Sequence, residues 1–406
     1  MKKMSKNSKE TAIVFGLFET GLGVIRSLGR NGIKVYGIDF NKDIAYYSKY
    51  VTPLICPHPI NEKQLFISWL NEKFASFKVK IPIFITSDIF LSSISENREF
   101  LKLNFIFNLV SNEAINTISD KYLQSQLAID AGINSPKTWL IENSQNLKDL
   151  EGNKIWPLLI KGRDVNTWRK LFGGSKKGFV VNNFTELSEK CKDVLDNDVS
   201  VIIQEIIYGS DTNHYKYCAY VNEKGSILAE LCLQKIRQYP VRFGVGAAMC
   251  TVQNKAVSDA GRKFLKNIDF KGVGSVEFKY DTKDKIYKLI ELNPRYWQQN
   301  SIGEQFGVNF PFINYCDLKN ISIKPQKNIF RRVIWVNRYM DFSSFIQYRK
   351  EGLLTYFAWR KSLKGEKIYS DFAWDDPMPM FYEFGFGMKL FNLPKFLIKK
   401  IISNDK

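Results

Sequence analysis

Residues 272–295, GVGSVEFKYDTKDKIYKLIELNPR, place two glutamates and an asparagine at strand-like spacing. Read as strands Ser275–Tyr280 and Ile286–Asn293 about a polar turn near Asp284, the segment brings Glu277 opposite Glu291. The two-residue period of a strand then sets Asn293 on the same face as Glu291. Carboxylates directly opposite on neighbouring strands repel, and a cation between them removes the conflict. Magnesium takes oxygen ligands, commonly one or two carboxylates together with substrate phosphates. Glu277, Glu291 and the Asn293 amide oxygen supply that set. Pro294 ends the strand, and Arg295 projects from the turn, where a guanidinium can hold phosphate or carboxylate through two hydrogen bonds. The competing reading is a solvated strand face that carries acids. The alternate residues Val276, Phe278, Ile290 and Leu292 form the buried face under either reading.

Other polar residues have chemistry only if the fold gathers them. Lys121 opens a helix and Lys161 ends a strand, positions from which a lysine reaches a polyphosphate or simply faces solvent. Gly173 and Gly174, in the basic loop GGSKKG (173–178, with Ser175 third), allow backbone to approach a phosphate closely, or form a plain turn. Gln204 sits in an apolar strand, where its amide needs a partner: an adenine edge or a neighbouring strand. Asp211 follows Gly209 and suits a turn as well as a ligand. His214 can touch a substrate or be satisfied within the fold.

The elements that must position these residues alternate at first between strand and helix. Strands are expected at Thr11–Phe15, Lys34–Ile38 and Ile81–Ile85, with helices over 24–31, 64–77 and 89–101. That β-α-β order implies a parallel sheet flanked by helices. From about Ser119 the pattern changes: a helix over 120–131, strands at Leu158–Lys161 and Val199–Ile207, antiparallel strands at Tyr215–Val221 and Ser226–Leu233, a helix over 257–267, then the hairpin. After about Lys319, aromatics, prolines and charges mix without long periodic runs. The expected divisions are 1–115, 116–320 with a smaller lobe at about 135–207, and 321–406.

VEFKYD followed by IELNPR resembles the metal-binding end of ATP-grasp enzymes, and other elements stand in the order that superfamily requires. The resemblance covers roughly residues 10 to 320, and its branch is that of D-aspartate ligase-like carboxylate–amine ligases. It implies an α/β and α+β protein: an N-terminal parallel-sheet (pre-ATP-grasp) domain, a two-lobed ATP-grasp fold and a C-terminal extension. By the same resemblance Lys121 and Lys161 contact ATP, and the 173–178 loop with Gly173, Gly174 and Ser175 covers the phosphates. Gln204 and the backbone of Glu205 to Ile207 read the adenine, and Asp211 holds the ribose. Lys235 lies near the transferred phosphate and acts with Arg295 in catalysis. The implied cofactors are ATP and Mg2+, with Mn2+ as a substitute. The implied substrates are a small-molecule carboxylate and an amine, one of them an amino acid.

Composition narrows the alternatives. The 406-residue chain has 45% hydrophobic and 25% charged residues, an ordinary globular balance. Two histidines supply a zinc site or a catalytic triad poorly, and six scattered cysteines suggest buried, reduced thiols. The net charge of +18 fits either an anionic partner, such as a cell-envelope or polysaccharide precursor, or the lysine excess of an AT-rich genome. Basic residues form no single stripe, against nucleic acid. No apolar run reaches the length of a membrane span, and Glu19 interrupts the first one, so a cytoplasmic protein is expected. The tail at 390–402 has the residues of a basic amphipathic helix interrupted by Pro394, which packs on the body or lies on a membrane. A dinucleotide fingerprint fails because Arg26 holds the third glycine position, and a P-loop fails because Leu22 stands in place of its lysine. A non-catalytic ATP sensor has no need of Glu277, Glu291, Asn293 and Arg295 together.

Overall fold

The computed structural model describes residues 10–173, 178–197, 199–242, 244–322 and 330–387. Its first sheet is parallel and five-stranded, in the order β3-β2-β1-β4-β5. The strands are β1 (Thr11–Phe15), β2 (Lys34–Asp39), β3 (Val51–Ile55), β4 (Ile81–Ile85) and β5 (Phe105–Ile106). Helices Glu19–Arg30, Lys63–Phe74 and Asp88–Glu96 connect them. β1 after Thr11 and the whole of β4 are apolar because both of their faces are covered, as parallel strands require. The glycines that imitate a nucleotide fingerprint have a structural reason. A Cβ on Gly21 would stand 1.9 Å from the Gly16 carbonyl oxygen, so the turn after β1 closes only with glycine there. Asp39 serves the same turn, accepting from the Leu17 amide at 2.7 Å and the Phe40 amide at 2.8 Å.

A second, antiparallel sheet has the order β6-β9-β7-β8. It comprises β6 (Thr138–Ile141), β7 (Leu158–Gly162), β8 (Phe179–Val181) and β9 (Val201–Glu205). Strand alternation divides its residues cleanly. Leu158, Ile160, Val201 and Ile203 enter a core with Trp168, Leu187 and Cys191. Lys161, Ile202 and Gln204 fall on the opposite face.

The third sheet has seven strands, in the order β14-β13-β10-β11-β12-β15-β16. Its members are β10 (His214–Val221), β11 (Ile227–Tyr239), β12 (Val245–Val252), β13 (Gly272–Asp281), β14 (Ile286–Asn293), β15 (Val333–Val336) and β16 (Glu366–Tyr369). The hairpin forms with the expected register, Glu277 opposite Glu291. A bulge follows: Phe278 pairs with Leu289, so Ile290 is the extra residue. Leu289 and Leu292 enter the core, and Ile290 is only half-buried. This corrects the expected buried face, which strict alternation assigned to Ile290.

The region after residue 330, irregular in sequence, continues this sheet. β15 pairs antiparallel with β12, and β16 pairs parallel with β15. Residues 370–376 then return to the first helix. Arg26 donates from Nε to Asp376 at 2.9 Å and from Nη2 to the Asp371 and Asp376 carbonyls at 2.9 and 2.7 Å. Asp376 also accepts from the Ser48 hydroxyl and the Lys49 amide. Both members of the Arg26–Asp376 pair are buried. All six cysteines are buried and unpaired, as expected of reduced thiols. Among the described residues no helix is long and apolar enough to cross a membrane. The 390–402 segment, Gly174 and Ser175 lie outside the described residues.

Candidate active site

The seven-stranded sheet presents a charged face. Its register sets Glu291, Glu277, Lys216 and Leu233 side by side across β14, β13, β10 and β11. The adjacent row on that face, two residues along each strand, runs Lys279, His214, Lys235. Two carboxylates thus border three lysines on one face, drawn from strands distant in sequence.

Lys121 reaches this face through the edge strand. Asp120 caps the helix Lys121–Asp130, accepting from the Tyr122 and Leu123 amides. One turn on, the Gln124 side chain donates to the Leu292 carbonyl and accepts from the Leu292 amide, closing the open edge of β14. Residues three apart share a helix face, so docking Gln124 on Leu292 sets Lys121 over Glu291, at 3.3 Å. Lys161 approaches from the second sheet and donates to Gln204 Oε1 at 2.9 Å. Gln204 in turn donates to Thr138 Oγ1 at 3.0 Å, so in this state its amide is satisfied by neighbouring side chains. Lys121, Lys161, Gln204 and Glu291 line one cleft, floored by Ile202, Leu289 and Ile290. The bulge at Ile290 turns that side chain toward the cleft while Glu291 stays opposite Glu277.

The segment between the two sheets is pinned from below. Lys279 donates to the Ile207 carbonyl at 2.8 Å, and the Thr282 amide donates to the Tyr208 carbonyl. Lys288 contacts Asp281, Asp284 and Glu205 at 2.9, 2.5 and 3.4 Å. Glu205, Asp281 and Asp284 are close enough to share a metal ion, but the Lys288 ammonium already fills their centre. Burial raises the Asp281 carboxyl, yet the bond from Lys288, the Lys283 and Asp284 amides and the charge of the ammonium together hold the group below its ordinary value.

Asp211, in the turn before β10, and His214, the first residue of β10, each carry a buried atom without a partner. Asp211 accepts from Gln238 through Oδ1 at 2.6 Å, while its Oδ2 is buried and unmatched. Burial raises its carboxyl against the pull of Lys235 and Lys279. His214 Nδ1 is likewise buried and unmatched. Burial, then Lys235, Lys279 and Lys161, push its pKa down to about 2, so the ring is neutral. Buried polar groups are normally satisfied, and a polar ligand would satisfy these two. Lys235 is buried and donates to Gln238 Oε1 at 2.9 Å.

Glu277 binds Lys216 at 2.9 Å, Asn293 donates to Glu291 at 3.2 Å, and Arg295 donates twice to Asp88 and once to Asn293. Two facing carboxylates and an amide oxygen, both acids already drawing ammonium groups, fit a hard divalent cation. The fold therefore gathers Lys121, Lys161, Gln204, Asp211, Lys235, Glu277, Glu291, Asn293 and Arg295 around one region. Glu205 and Ile207 stand at its edge, with Glu205 engaged by Lys288 and Ile207 by Lys279. Gly173, in left-handed conformation at φ +75, closes the helix Val165–Phe172. Sequence reasoning missed Lys216, Lys279, Lys288 and Asp88.

No protein-family model matches this sequence. The chain is 21% identical over 275 residues to the D-aspartate ligase of Enterococcus faecium (strain Aus0004). That match spans 65% of this chain and 65% of the relative's length. Among solved structures, an L-amino acid ligase from Bacillus licheniformis aligns with a TM-score of 0.58 at 15% identity, covering 79% of this chain and 78% of that one. The biotin carboxylase domain of the Hydrogenobacter thermophilus 2-oxoglutarate carboxylase, in complex with MgADP, ADP and bicarbonate, aligns at 0.61 and 14% identity. Coverage there is 79% of this chain and 72% of that one. With its parallel sheet, its small antiparallel lobe and its seven-stranded sheet bearing the facing glutamates, the chain has the ATP-grasp fold.

Proposed function

We propose that this chain is an ATP-dependent ligase that joins a carboxylate to an amine. The observation that carries the reading is the cleft between the four-stranded and seven-stranded sheets, where Lys121 and Lys161 face Glu291. Cations stand where a polyphosphate needs them, and acids where its counter-ion needs them. The adenine lies against Gln204 and the 205–207 backbone, and the ribose hydroxyls satisfy Asp211 Oδ2. Glu291 and the Asn293 amide oxygen, with Glu277 facing Glu291 across the hairpin, would hold magnesium, which when bound would neutralise phosphate charge during transfer. The small four-stranded lobe, with the 173–178 loop, acts as a lid that excludes water.

The substrate carboxylate oxygen attacks the γ-phosphorus, ADP leaves, and an acyl-phosphate results. The amine nitrogen then attacks the acyl carbon, phosphate departs with the C–O electron pair, and the amine gives up its proton. Lys235 and Arg295 stabilise the charge that develops on the transferred phosphoryl group and the acyl oxygen. The similarity to a D-aspartate ligase and an L-amino acid ligase supports an amino acid as one substrate. Unpaired thiols support a cytoplasmic setting.

The test is ADP and phosphate release from Mg-ATP by purified protein with pooled amino acids and carboxylates, beside Glu291→Gln. Release that needs both a carboxylate and an amine, and falls at least ~100-fold in the variant, is the expected result. Release that needs neither, or persists in the variant, sinks the proposal.

A further inference from the structure

The two acids of the metal set are neutralised by different kinds of lysine. Lys121 reaches Glu291 from a helix outside the sheet, at 3.3 Å, with both side chains about a third exposed (26% and 33%). Lys216 reaches Glu277 from inside the sheet, at 2.9 Å, with exposures of only 12% and 19%. Lys216 and Glu277 are direct cross-strand partners, and β10 is hydrogen-bonded along both edges, to β13 and to β11. The Lys216 backbone therefore cannot withdraw from Glu277.

Its other neighbours on that face offer no competing acid. Across β11 stands Leu233, and along β10 stand His214 and Cys218. The His214 ring is neutral and the Cys218 thiol is fully buried. An ammonium has three donors, enough to keep a carboxylate and also reach a phosphate oxygen placed over the sheet. That is the bridging task a divalent cation performs between acid and phosphate.

Building on the ligase reading, we propose that Lys216 is a resident cation at Glu277, so that the nucleotide-loaded site takes a single divalent ion, at Glu291 and Asn293. Lys216 is then a built-in counter-charge, set by strand register and present whatever the metal concentration. A neutral residue at this position frees Glu277 to bind a second ion.

The experiment counts Mn2+ bound per nucleotide-loaded chain, by the loss of the free-ion paramagnetic resonance signal in the presence of a non-hydrolysable ATP analogue. Nucleotide occupancy is measured in the same samples by equilibrium dialysis. The parent chain and Lys216→Arg should each bind one ion, and Lys216→Gln should bind two. Lys216→Met, which keeps the apolar stem, repeats the test should the glutamine variant not fold. Two ions on the parent chain overturn the proposal, as does one ion on both neutral variants. Absence of nucleotide from the parent chain overturns the ligase reading and this inference together.

Discussion

Lys288 is the residue whose loss should be most informative about how the four-stranded and seven-stranded sheets are joined. Its ammonium is 5% exposed and touches Asp281, 1% exposed, and Glu205, 14% exposed, where the second sheet ends. Its contact with Asp284, 40% exposed, is screened by solvent and contributes about 1 kcal/mol at most. Lys288→Met preserves the stem and removes the charge. It leaves Asp281 and Glu205 facing each other in a buried site, and stranding a buried charge in this way costs about 3–5 kcal/mol. With an unfolding entropy near 2.1 cal/mol/K per residue, a chain of this size changes by roughly 0.85 kcal/mol per degree, so Tm should fall by about 5 °C. Because the freed carboxylates lie close enough to share an ion, millimolar Ca2+ should restore part of that loss, and raise the parent's Tm less. Calorimetry of both proteins at pH 7, with and without Ca2+, gives the answer. A variant within ~1 °C of the parent refutes the reasoning, because the ammonium would then hold nothing the methionine cannot.

Acid stability gives a second test. The His214 pKa is lowered to about 2, so below the free-histidine value near 6.5 the unfolded chain takes up a proton that the folded chain refuses. Stability then falls as pH drops from about 6.5, by up to ~1.4 kcal/mol per pH unit, and His214→Gln should flatten this part of the Tm–pH curve. The glycines give a third. Gly21→Ala forces a Cβ into the Gly16 carbonyl and should abolish folding of the first domain, read as loss of soluble protein. Gly32→Ala, at φ +79 with nothing within 4 Å, should cost only about 1–2 kcal/mol by chemical denaturation.

The hairpin was readable because its turn is local: a few polar residues fix which positions face each other, and Glu277 meets Glu291. The helix start at Lys121 was readable for the same reason, since Asp120 is a cap by residue type. Lys216 was not. Its partner lies on a strand 61 residues further on, and β10–β13 pairing leaves no mark in either sequence. In a chain so rich in lysine, residue type alone singles out none of them. The bulge at Ile290 escaped because apolar residues at 289, 290 and 292 fit two registers, and only the packing of Leu289 decides. β15 and β16 escaped because four-residue strands set among aromatics carry too short a pattern to count.

The clasp between Arg26 and Asp376 spans 350 positions of the chain. At 5–20 residues per second on a ribosome, the first helix waits on the order of 20–70 s for its buried counter-ion to be made. Throughout that interval the guanidinium face of Glu19–Arg30 must stay hydrated, and the N-terminal sheet remains unfinished on that side. A helix made 350 residues before its counter-ion thus closes late, so a premature stop between residues 30 and 376 would release a chain with that helix still open.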